Sequence, residues 1–334
     1  MRLMTTVIIT SYKRGWALQY SLSSLAGQSV HPDEVIIVLK PSGDNSEQVI
    51  EKFKEKLPIR MLIQEKGFVV DAVEEGIKNA TGDIILFLDD DAIAEKEWIK
   101  KYLNLFGKIG DAGGIAGLIL KASLKDTKID LENVLSDKYP PTTPHKVSKF
   151  IKVYGKPLNI YKGYSNYISK SGFLINKQMN TRKQNIPILD VLLSGANMGF
   201  LKHAIKDCPV GRFFKGSKKG YSYESFLAYW ARRKGFNTYA IRSPENAPTV
   251  WHIVHKSRLT FLNNFYDRFW FSYDALTNYF RYRLAGADTS LLSYIVASAA
   301  FIRKDPCSRL PALFYILSTM PVYLKEIRSY QTYK

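Results

Sequence analysis

Cysteine is scarce in this chain of 334 residues, and long apolar runs are missing. The two cysteines, Cys208 and Cys307, are too few and too far apart for a disulfide scaffold or a cysteine-rich zinc site. Two apolar runs near the C-terminus, 291–302 and 310–324, fall short of the ~20 residues that a membrane-spanning helix needs. The first residues lack the long apolar core of a signal peptide, so none is expected. These absences favour a reducing compartment.

Acidic residues are the other shortage, because 30 of them face 48 basic residues and leave a net charge of +18. Residues 1–119 hold 14 basic and 17 acidic side chains, whereas residues 120–220 hold 19 and 6, and residues 256–334 hold 11 and 5. A hydrophobic content of 46% excludes a disordered chain. Basicity confined to the second half predicts an anionic partner there: nucleic acid, an anionic membrane or a phosphate-rich substrate.

Short apolar runs alternate with helical patterns in the first part of the chain. The runs at 6–10, 34–39, 59–63 and 83–88 predict buried strands, with helices between them. Strands and helices that alternate at this spacing predict an α/β fold with a mostly parallel sheet covered on both faces. Ligands of such sheets bind at the carboxyl ends of the strands.

Three consecutive aspartates, Asp89, Asp90 and Asp91, follow the fourth predicted strand. Strand alternation sends Asp89 and Asp91 to the same side. Two carboxylates on one side suit Mg²⁺ or Mn²⁺, which completes its shell with water and substrate phosphates. A solvated acidic turn is the alternative interpretation of such a run.

Five ordered blocks carry a resemblance to a known family. They read Val-Ile-Ile-Thr-Ser-Tyr-Lys-Arg at 7–14, Leu-x-x-Leu-x-x-Gln at 22–28, Pro-x-Glu-Val-Ile-Ile-Val at 32–38, Ala-x-Gly-Asp-Ile-Ile-Leu-Phe-Leu-Asp-Asp-Asp at 80–91 and Gly-Ala-Asn-Met-Gly-Phe at 195–200. Over about residues 4–255 the chain resembles the family 2 glycosyltransferases. The resemblance implies the GT-A fold, a nucleotide-diphosphate-sugar donor, a divalent cation (Mn²⁺ or Mg²⁺) and an inverting single displacement.

The resemblance also implies roles for individual residues. It assigns the cation to Asp89, Asp91 and His252, and the acceptor to Gly195, Asn197 and Trp251. The residues expected at the donor are Thr10, Ser11, Tyr12, Arg14, Lys40, Asp44, Asp89 and Asp90. A structural role is the alternative for His252. Lys40 stands where the family usually has an aspartate that contacts the nucleobase. The base of the donor nucleotide therefore remains undecided between uracil, guanine and others.

An inverting transferase also needs a general base for the acceptor hydroxyl. In the family this base is the second acidic residue of a pair that opens a helix, eleven positions before a glycine followed by an aromatic residue. Gly235 and Phe236 set that register here, and the resemblance therefore places the base at Glu224. The alternative is a first-turn glutamate that the helix dipole favours.

The C-terminal region, 256–334, differs in composition from the rest. Ten of the 23 residues at 261–283 are aromatic, and arginines lie between them. This pattern predicts amphipathic helices in the interface of an anionic membrane. A re-entrant hairpin and a helical subdomain packed on the catalytic domain are the alternatives. A single-strand nucleic-acid surface is disfavoured, because no nucleic-acid-binding motif is present.

The predicted organisation is a GT-A domain at 1–255 followed by this region. The domain divides into a nucleotide-binding half (1–119), a basic, loop-rich connection (120–185) and an acceptor or catalytic half (186–255). The function expected is metal-dependent, inverting sugar transfer to a hydroxyl or phosphate of an acceptor. A lipid-linked glycan or a polyprenyl or dolichyl phosphate at the cytoplasmic face of the cell membrane is expected as that acceptor.

Other functions remain open at this stage. One alternative is a soluble glycosyltransferase with a packed tail and a non-lipid acceptor. Another is a nucleotidyltransferase, which normally has a glycine-rich phosphate loop after the first strand, where this chain has a single glycine at Gly15. A non-catalytic membrane-binding module does not explain the aspartates.

Overall fold

The computed structural model describes residues 2–125, 128–135, 155–175, 187–191, 193–254 and 264–331. Its strands are β1 (Thr5–Ser11), β2 (Glu34–Leu39), β3 (Ile59–Ile63), β4 (Ile84–Phe87), β5 (Ala92–Ala94), β6 (Ala112–Ala116), β7 (Leu118–Lys125), β8 (Lys128–Leu135), β9 (Tyr167–Ile168), β10 (Leu174–Ile175), β11 (Ile188–Leu189), β12 (Met198–Leu201), β13 (Asn237–Ala240) and β14 (Thr249–Val254). Its helices are α1 (Gly15–Ala26), α2 (Ser46–Phe53), α3 (Val69–Asn79), α4 (Trp98–Lys108), α5 (Lys202–Ile205), α6 (Val210–Phe213), α7 (Tyr223–Arg233), α8 (Phe265–Leu284), α9 (Leu291–Ile302) and α10 (Pro306–Gln331).

The main sheet has eight strands in the order β11-β13-β6-β12-β4-β1-β2-β3. The four strands predicted in the first part of the chain pair in parallel, whereas β12 runs antiparallel between β4 and β6. Side chains of β1 alternate between two cores, because Ile8 packs with α3 on one face and Val7 and Ile9 pack with α1 on the other. The predicted α/β sheet covered on both faces is confirmed.

A second sheet lies beside the acidic cluster, with the order β5-β14-β7-β8. Its strands β7 and β8 form a hairpin at 118–135, where the sequence predicts mainly a loop-rich connection. That prediction is wrong for this part. Strand β7 pairs along its length with β14, which lies more than a hundred residues later, and local periodicity does not reveal so distant a partner. Much of the remaining connection lies outside the described residues.

The C-terminal helices divide into a packed part and an exposed part. Helix α8 buries Trp270, Tyr273, Tyr279 and Tyr282 against the rest of the protein. The prediction that these aromatic side chains lie in a membrane interface is therefore wrong, and the packed-subdomain alternative holds for α8. Helices α9 and α10 expose several large apolar side chains. None of the described helices is long and apolar enough to cross a membrane.

Candidate active site

The acidic cluster meets a histidine from the far end of the chain. In the antiparallel pairing of β14 with β5, His252 lies opposite Ala92, the residue that follows Asp91. Its Nε2 is 2.8 Å from Oδ1 of Asp91 and 3.5 Å from Oδ2 of Asp89. Asp91 and His252 are almost fully buried, while Asp89 is partly exposed. The three residues that the resemblance assigned to the cation therefore lie together.

This group fits a divalent cation by its chemistry. Ligand atoms of Asp89, Asp91 and His252 all lie within 4.8 Å of one another. Carboxylate oxygens suit Mg²⁺ and Mn²⁺, and imidazole suits the transition metal. Asp89, Asp91 and His252 would hold such a cation.

Arg14 and Ser11 support the cluster from the loop between β1 and α1. The guanidinium of Arg14 donates to Asp90 at 3.1 Å and to Asp91, and the Ser11 hydroxyl donates to Asp90 at 2.8 Å. Burial raises the pKa of Asp90 to about 7 even though Arg14 lowers it, and Asp91 adds to the rise. Burial lowers the pKa of Arg14. The carboxylates of Asp91, Asp90 and Asp89 together raise that pKa by more, so the net shift is upward.

The contacts of Ser11 and Asp90 change their expected role. Both residues are almost fully buried and bind each other, although both were predicted at the donor. The structure thus places these two side chains in the support beneath the cation group. The sequence pattern did not show this, because the pairing depends on β1 and β4 being neighbours in the sheet.

The other predicted donor residues lie at the carboxyl ends of β1 and β2. Thr10 is half-buried there. Asp44 accepts hydrogen bonds from the backbone of Gly15 and from two serine hydroxyls, all at 2.9 Å, and so anchors the start of α1. A cavity of about 220 Å³ adjoins Asp44. These positions lie at the edge of the sheet where ligands of such folds bind.

Lys40 and Tyr12 form a cluster with Phe68 at the same edge of the sheet. The Lys40 ammonium lies 5.8 Å from the ring centre of Tyr12 and 5.4 Å from that of Phe68, and it donates to the carbonyl of Gly67 at 2.7 Å. Both rings are exposed. Sequence reasoning missed Phe68, which lacks a motif and joins the cluster only because α3 begins beside the end of β2.

Glu224 lies at the start of α7 and reaches back to Gly195, which lies beside Asp89 of the cation group. The backbone N–H of Gly195 donates to its Oε1 at 3.1 Å. A Cβ on Gly195 would lie 2.3 Å from the Tyr223 hydroxyl and 3.4 Å from Oδ1 of Asp89. The glycine is therefore required for close approach, and the structure brings Gly195, Glu224 and Asp89 together.

Tyr223 is a site residue that sequence reasoning missed. Burial raises the pKa of its hydroxyl well above the usual value, and the nearby Glu224 and Asp89 carboxylates raise it further. The hydroxyl therefore stays protonated between two carboxylates. Its position just before Glu224 was the available signal, but the family pattern has an acidic residue at that place.

Two residues predicted at the acceptor lie elsewhere. The side chain of Asn197 is fully buried and makes four hydrogen bonds of 2.8 Å, to Trp98, Tyr102 and the carbonyls of Leu118 and Pro248. These bonds use both donors and both lone pairs of the amide, so Asn197 ties the two sheets together and is not an acceptor contact.

Trp251 is the second of them. It precedes His252 in β14, so strand alternation turns its side chain to the opposite face from the cation group. There it packs against the hydrophobic core. A structural role follows for Trp251 as well.

Comparison with known proteins identifies the family of the chain. The model of glycosyl transferase family 2 matches residues 6–206. The chain belongs to this family. A chondroitin synthase from Pasteurella multocida is 29% identical to this family 2 chain over 102 residues, which cover 30% of the chain and 11% of the synthase. A glucosyl-dolichyl phosphate glucuronosyltransferase from Haloferax volcanii is 22% identical over 121 residues, 36% of the chain and 39% of that protein.

A solved structure shows the same fold. TarS residues 1–349 from S. aureus superpose with a TM-score of 0.54 and 15% identity, over 97% of this chain and 81% of that one. The likeness confirms the predicted GT-A type of mixed α/β sheet. The curated relatives named above are matched over well under half of their length.

Proposed function

We propose that this family 2 chain transfers a sugar from a nucleotide-diphosphate sugar to an acceptor, with inversion at the anomeric carbon and Glu224 as the general base. The observation that carries the proposal is the meeting of two groups at Gly195. The Glu224 carboxylate is bound to its N–H, and Asp89 of the cation group lies beside its Cα.

The acidic group is suited to the donor side of this reaction. Asp89, Asp91 and His252 would hold a divalent cation, which neutralises the charge on the departing diphosphate when it is bound. Arg14 holds the carboxylates of Asp90 and Asp91 in place through ion pairs. The edge of the sheet that carries Tyr12, Lys40 and Asp44 would take the nucleoside.

Glu224 is suited to the acceptor side. In the proposed step an acceptor oxygen attacks the anomeric carbon and forms the new bond, while the bond from that carbon to the diphosphate breaks and its electron pair leaves with the diphosphate. The Glu224 carboxylate takes the proton from the acceptor oxygen. Its position in the first turn of α7 favours the charged carboxylate that this role needs.

Glu224→Gln tests the base. The amide keeps the size of the side chain but cannot take the proton, so we expect turnover to fall about 100-fold or more. Nucleotide binding with Mn²⁺, measured by calorimetry, should stay unchanged. Glu55→Gln, at an exposed position, is the matched control and should leave turnover intact. Normal turnover in Glu224→Gln would place the base on another residue.

For the acceptor we propose a lipid-linked or phosphate-bearing molecule at an anionic membrane surface. Large apolar side chains are exposed on two helices, namely Leu291, Leu292 and Ile295 of α9 and Leu310, Phe314, Leu317 and Val322 of α10. Leu292 is 64% and Phe314 66% exposed. An exposed apolar face of this kind is typical of a membrane or protein contact.

Charge and similarity support the membrane choice. Arg303 and Lys304 lie in the turn between α9 and α10, next to the apolar face. Basic residues beside apolar ones favour anionic lipid. The name of one relative also includes a dolichyl phosphate.

Vesicle sedimentation tests the membrane surface. We expect the chain to sediment with vesicles that contain phosphatidylglycerol, less so in high salt, because salt screens the basic residues. The double variant Leu292→Glu/Phe314→Glu should bind at least about tenfold more weakly, since two apolar contacts become charged. Leu131→Glu, at an exposed leucine of β8, is the control. If the double variant and the control sediment equally with the vesicles, the exposed faces of α9 and α10 do not bind the membrane.

A further inference from the structure

The second sheet presents polar side chains on the face that carries His252. Lys121 of β7 is paired in parallel with His252 of β14, so the two side chains leave the same face of the sheet. Ser123 follows two residues later on this face, and Glu132 of β8 joins both residues. The Ser123 hydroxyl donates to one oxygen of Glu132, and the Lys121 Nζ lies 3.4 Å from the other.

This arrangement roots Lys121 on the strand next to His252, while its ammonium group rests against Glu132 of β8. Neighbouring strands are about 4.8 Å apart, so the Lys121 backbone starts one strand spacing away from His252. The hydrogen bond from Ser123, together with Lys121, lowers the pKa of Glu132, which stays charged and restrains the lysine. Serine and glutamate therefore orient Lys121 without covering it.

Lys121 retains capacity for another ligand. Its side chain is 34% exposed, and an ammonium group has three donors. In the part of the chain that the structure describes, Glu132 is the ion-pair partner found for it, at a long distance. Arg14, a second cation near the acidic cluster, is already bound to Asp90 and Asp91.

We propose that Lys121 is a donor-binding residue whose ammonium group binds the diphosphate of the nucleotide sugar beside Asp89, Asp91 and His252. This rests on the proposed function, which supplies the diphosphate. On binding, Lys121 exchanges its long contact with Glu132 for charge-assisted hydrogen bonds to phosphate oxygens. The same bonds stabilise the diphosphate as it departs, when its charge increases.

Calorimetry with nucleoside mono- and diphosphates tests this role on the full chain. UDP, GDP, UMP and GMP are titrated in the presence of Mn²⁺ into the wild type and Lys121→Met. We expect Lys121→Met to bind the diphosphate that the wild type prefers about tenfold more weakly, because a charge-assisted hydrogen bond is lost. The affinity of Lys121→Met for the matching monophosphate should stay within about twofold of the wild-type value, since the monophosphate lacks the diphosphate that Lys121 binds.

Two further variants serve as controls. Lys121→Arg keeps the charge and should retain most of the diphosphate affinity. Lys54→Met removes the same charge from an exposed lysine of another Lys-Glu pair, with Glu51 on α2, and should leave both affinities unchanged. Thermal unfolding of each variant confirms that the fold is intact.

The outcomes separate this proposal from the function beneath it. If the wild type binds a diphosphate and Lys121→Met binds it equally well, only the role of Lys121 is overturned. Equal weakening of mono- and diphosphate binding would also overturn it, as would an effect confined to the KM of a phosphate-bearing acceptor. If the wild type binds no nucleotide, both proposals fall.

Discussion

Asp91→Ala is expected to abolish sugar transfer. Asp91 supplies the carboxylate oxygen that lies 2.8 Å from His252, and its other oxygen receives Arg14. Without it the cation group loses its best-buried carboxylate, and a bound cation contributes several kcal/mol to stabilising a leaving diphosphate. We therefore expect transfer and donor hydrolysis to fall on the order of 1,000-fold or more.

Two measurements distinguish this loss from unfolding. Thermal unfolding without metal should show an intact fold, because Asp90 still pairs with Arg14. The rise in melting temperature that Mn²⁺ gives the wild type should disappear, since a ligand stabilises only a protein that binds it. Asp83→Asn, at the other end of β4, is the control and should keep activity. Full activity in Asp91→Ala would rule out the proposed cation group.

Breaking the ion pair of Asp274 and Arg281 is expected to cost about 3–5 kcal/mol of the free energy of unfolding. Both side chains belong to α8 and are fully buried. Nη2 of Arg281 lies 2.7 Å from Oδ1 of Asp274. The pair also binds the segment that leads to α7. Arg281 donates to the carbonyl of Phe213, and Asp274 accepts from Ser217 and Tyr221.

The size of the effect follows from burial. Asp274→Ala leaves the Arg281 guanidinium without its carboxylate in the protein interior, and Arg281→Met leaves the carboxylate without its guanidinium. Equilibrium unfolding in urea measures the loss. Arg283→Met, the same change at an exposed position of α8, should stay within about 0.5 kcal/mol of the wild type. A cost below about 1 kcal/mol for both buried variants would contradict the prediction.

The same pair connects the C-terminal region to the segment that precedes the proposed base. The segment from Phe213 to Tyr221 ends just before Tyr223 and Glu224, so α8 holds the approach to the proposed base. Activity of the buried-pair variants should therefore fall even under conditions in which they remain folded. Helix α8 belongs to the structure that positions the site, whereas the exposed faces of α9 and α10 carry the membrane proposal.

Local patterns were sufficient for the elements that depend on local physics. Alternation of buried apolar runs with helical spacing predicted β1 to β4 and α1 to α3, because strand and helix periods are properties of short segments. The acidic cluster was predictable for the same reason, since it follows a strand end where ligands of such sheets bind. The spacing to Gly235 led to Glu224, which the structure does place near Asp89.

Contacts between distant segments were not predictable in the same way. The resemblance led to Asn197 being expected at the acceptor. In the structure, Trp98 and Tyr102 of α4 and the carbonyls of Leu118 and Pro248 occupy all its hydrogen-bonding positions. The hairpin of β7 and β8 and the packing of α8 are further cases. In each, the deciding partner lies far along the chain, and burial between the two segments determines which side chains lose contact with water.

The sequence by itself determined the α/β alternation, the aspartates at the end of β4 and the family to which the chain belongs. Only the tertiary structure decided that His252 joins Asp89 and Asp91, that Ser11 and Arg14 support Asp90, and that Lys121 pairs with His252 across two strands. The physical reason is strand pairing. The register of β14 with β5 and β7 places residues from three distant segments side by side, and that register depends on which apolar faces are buried together.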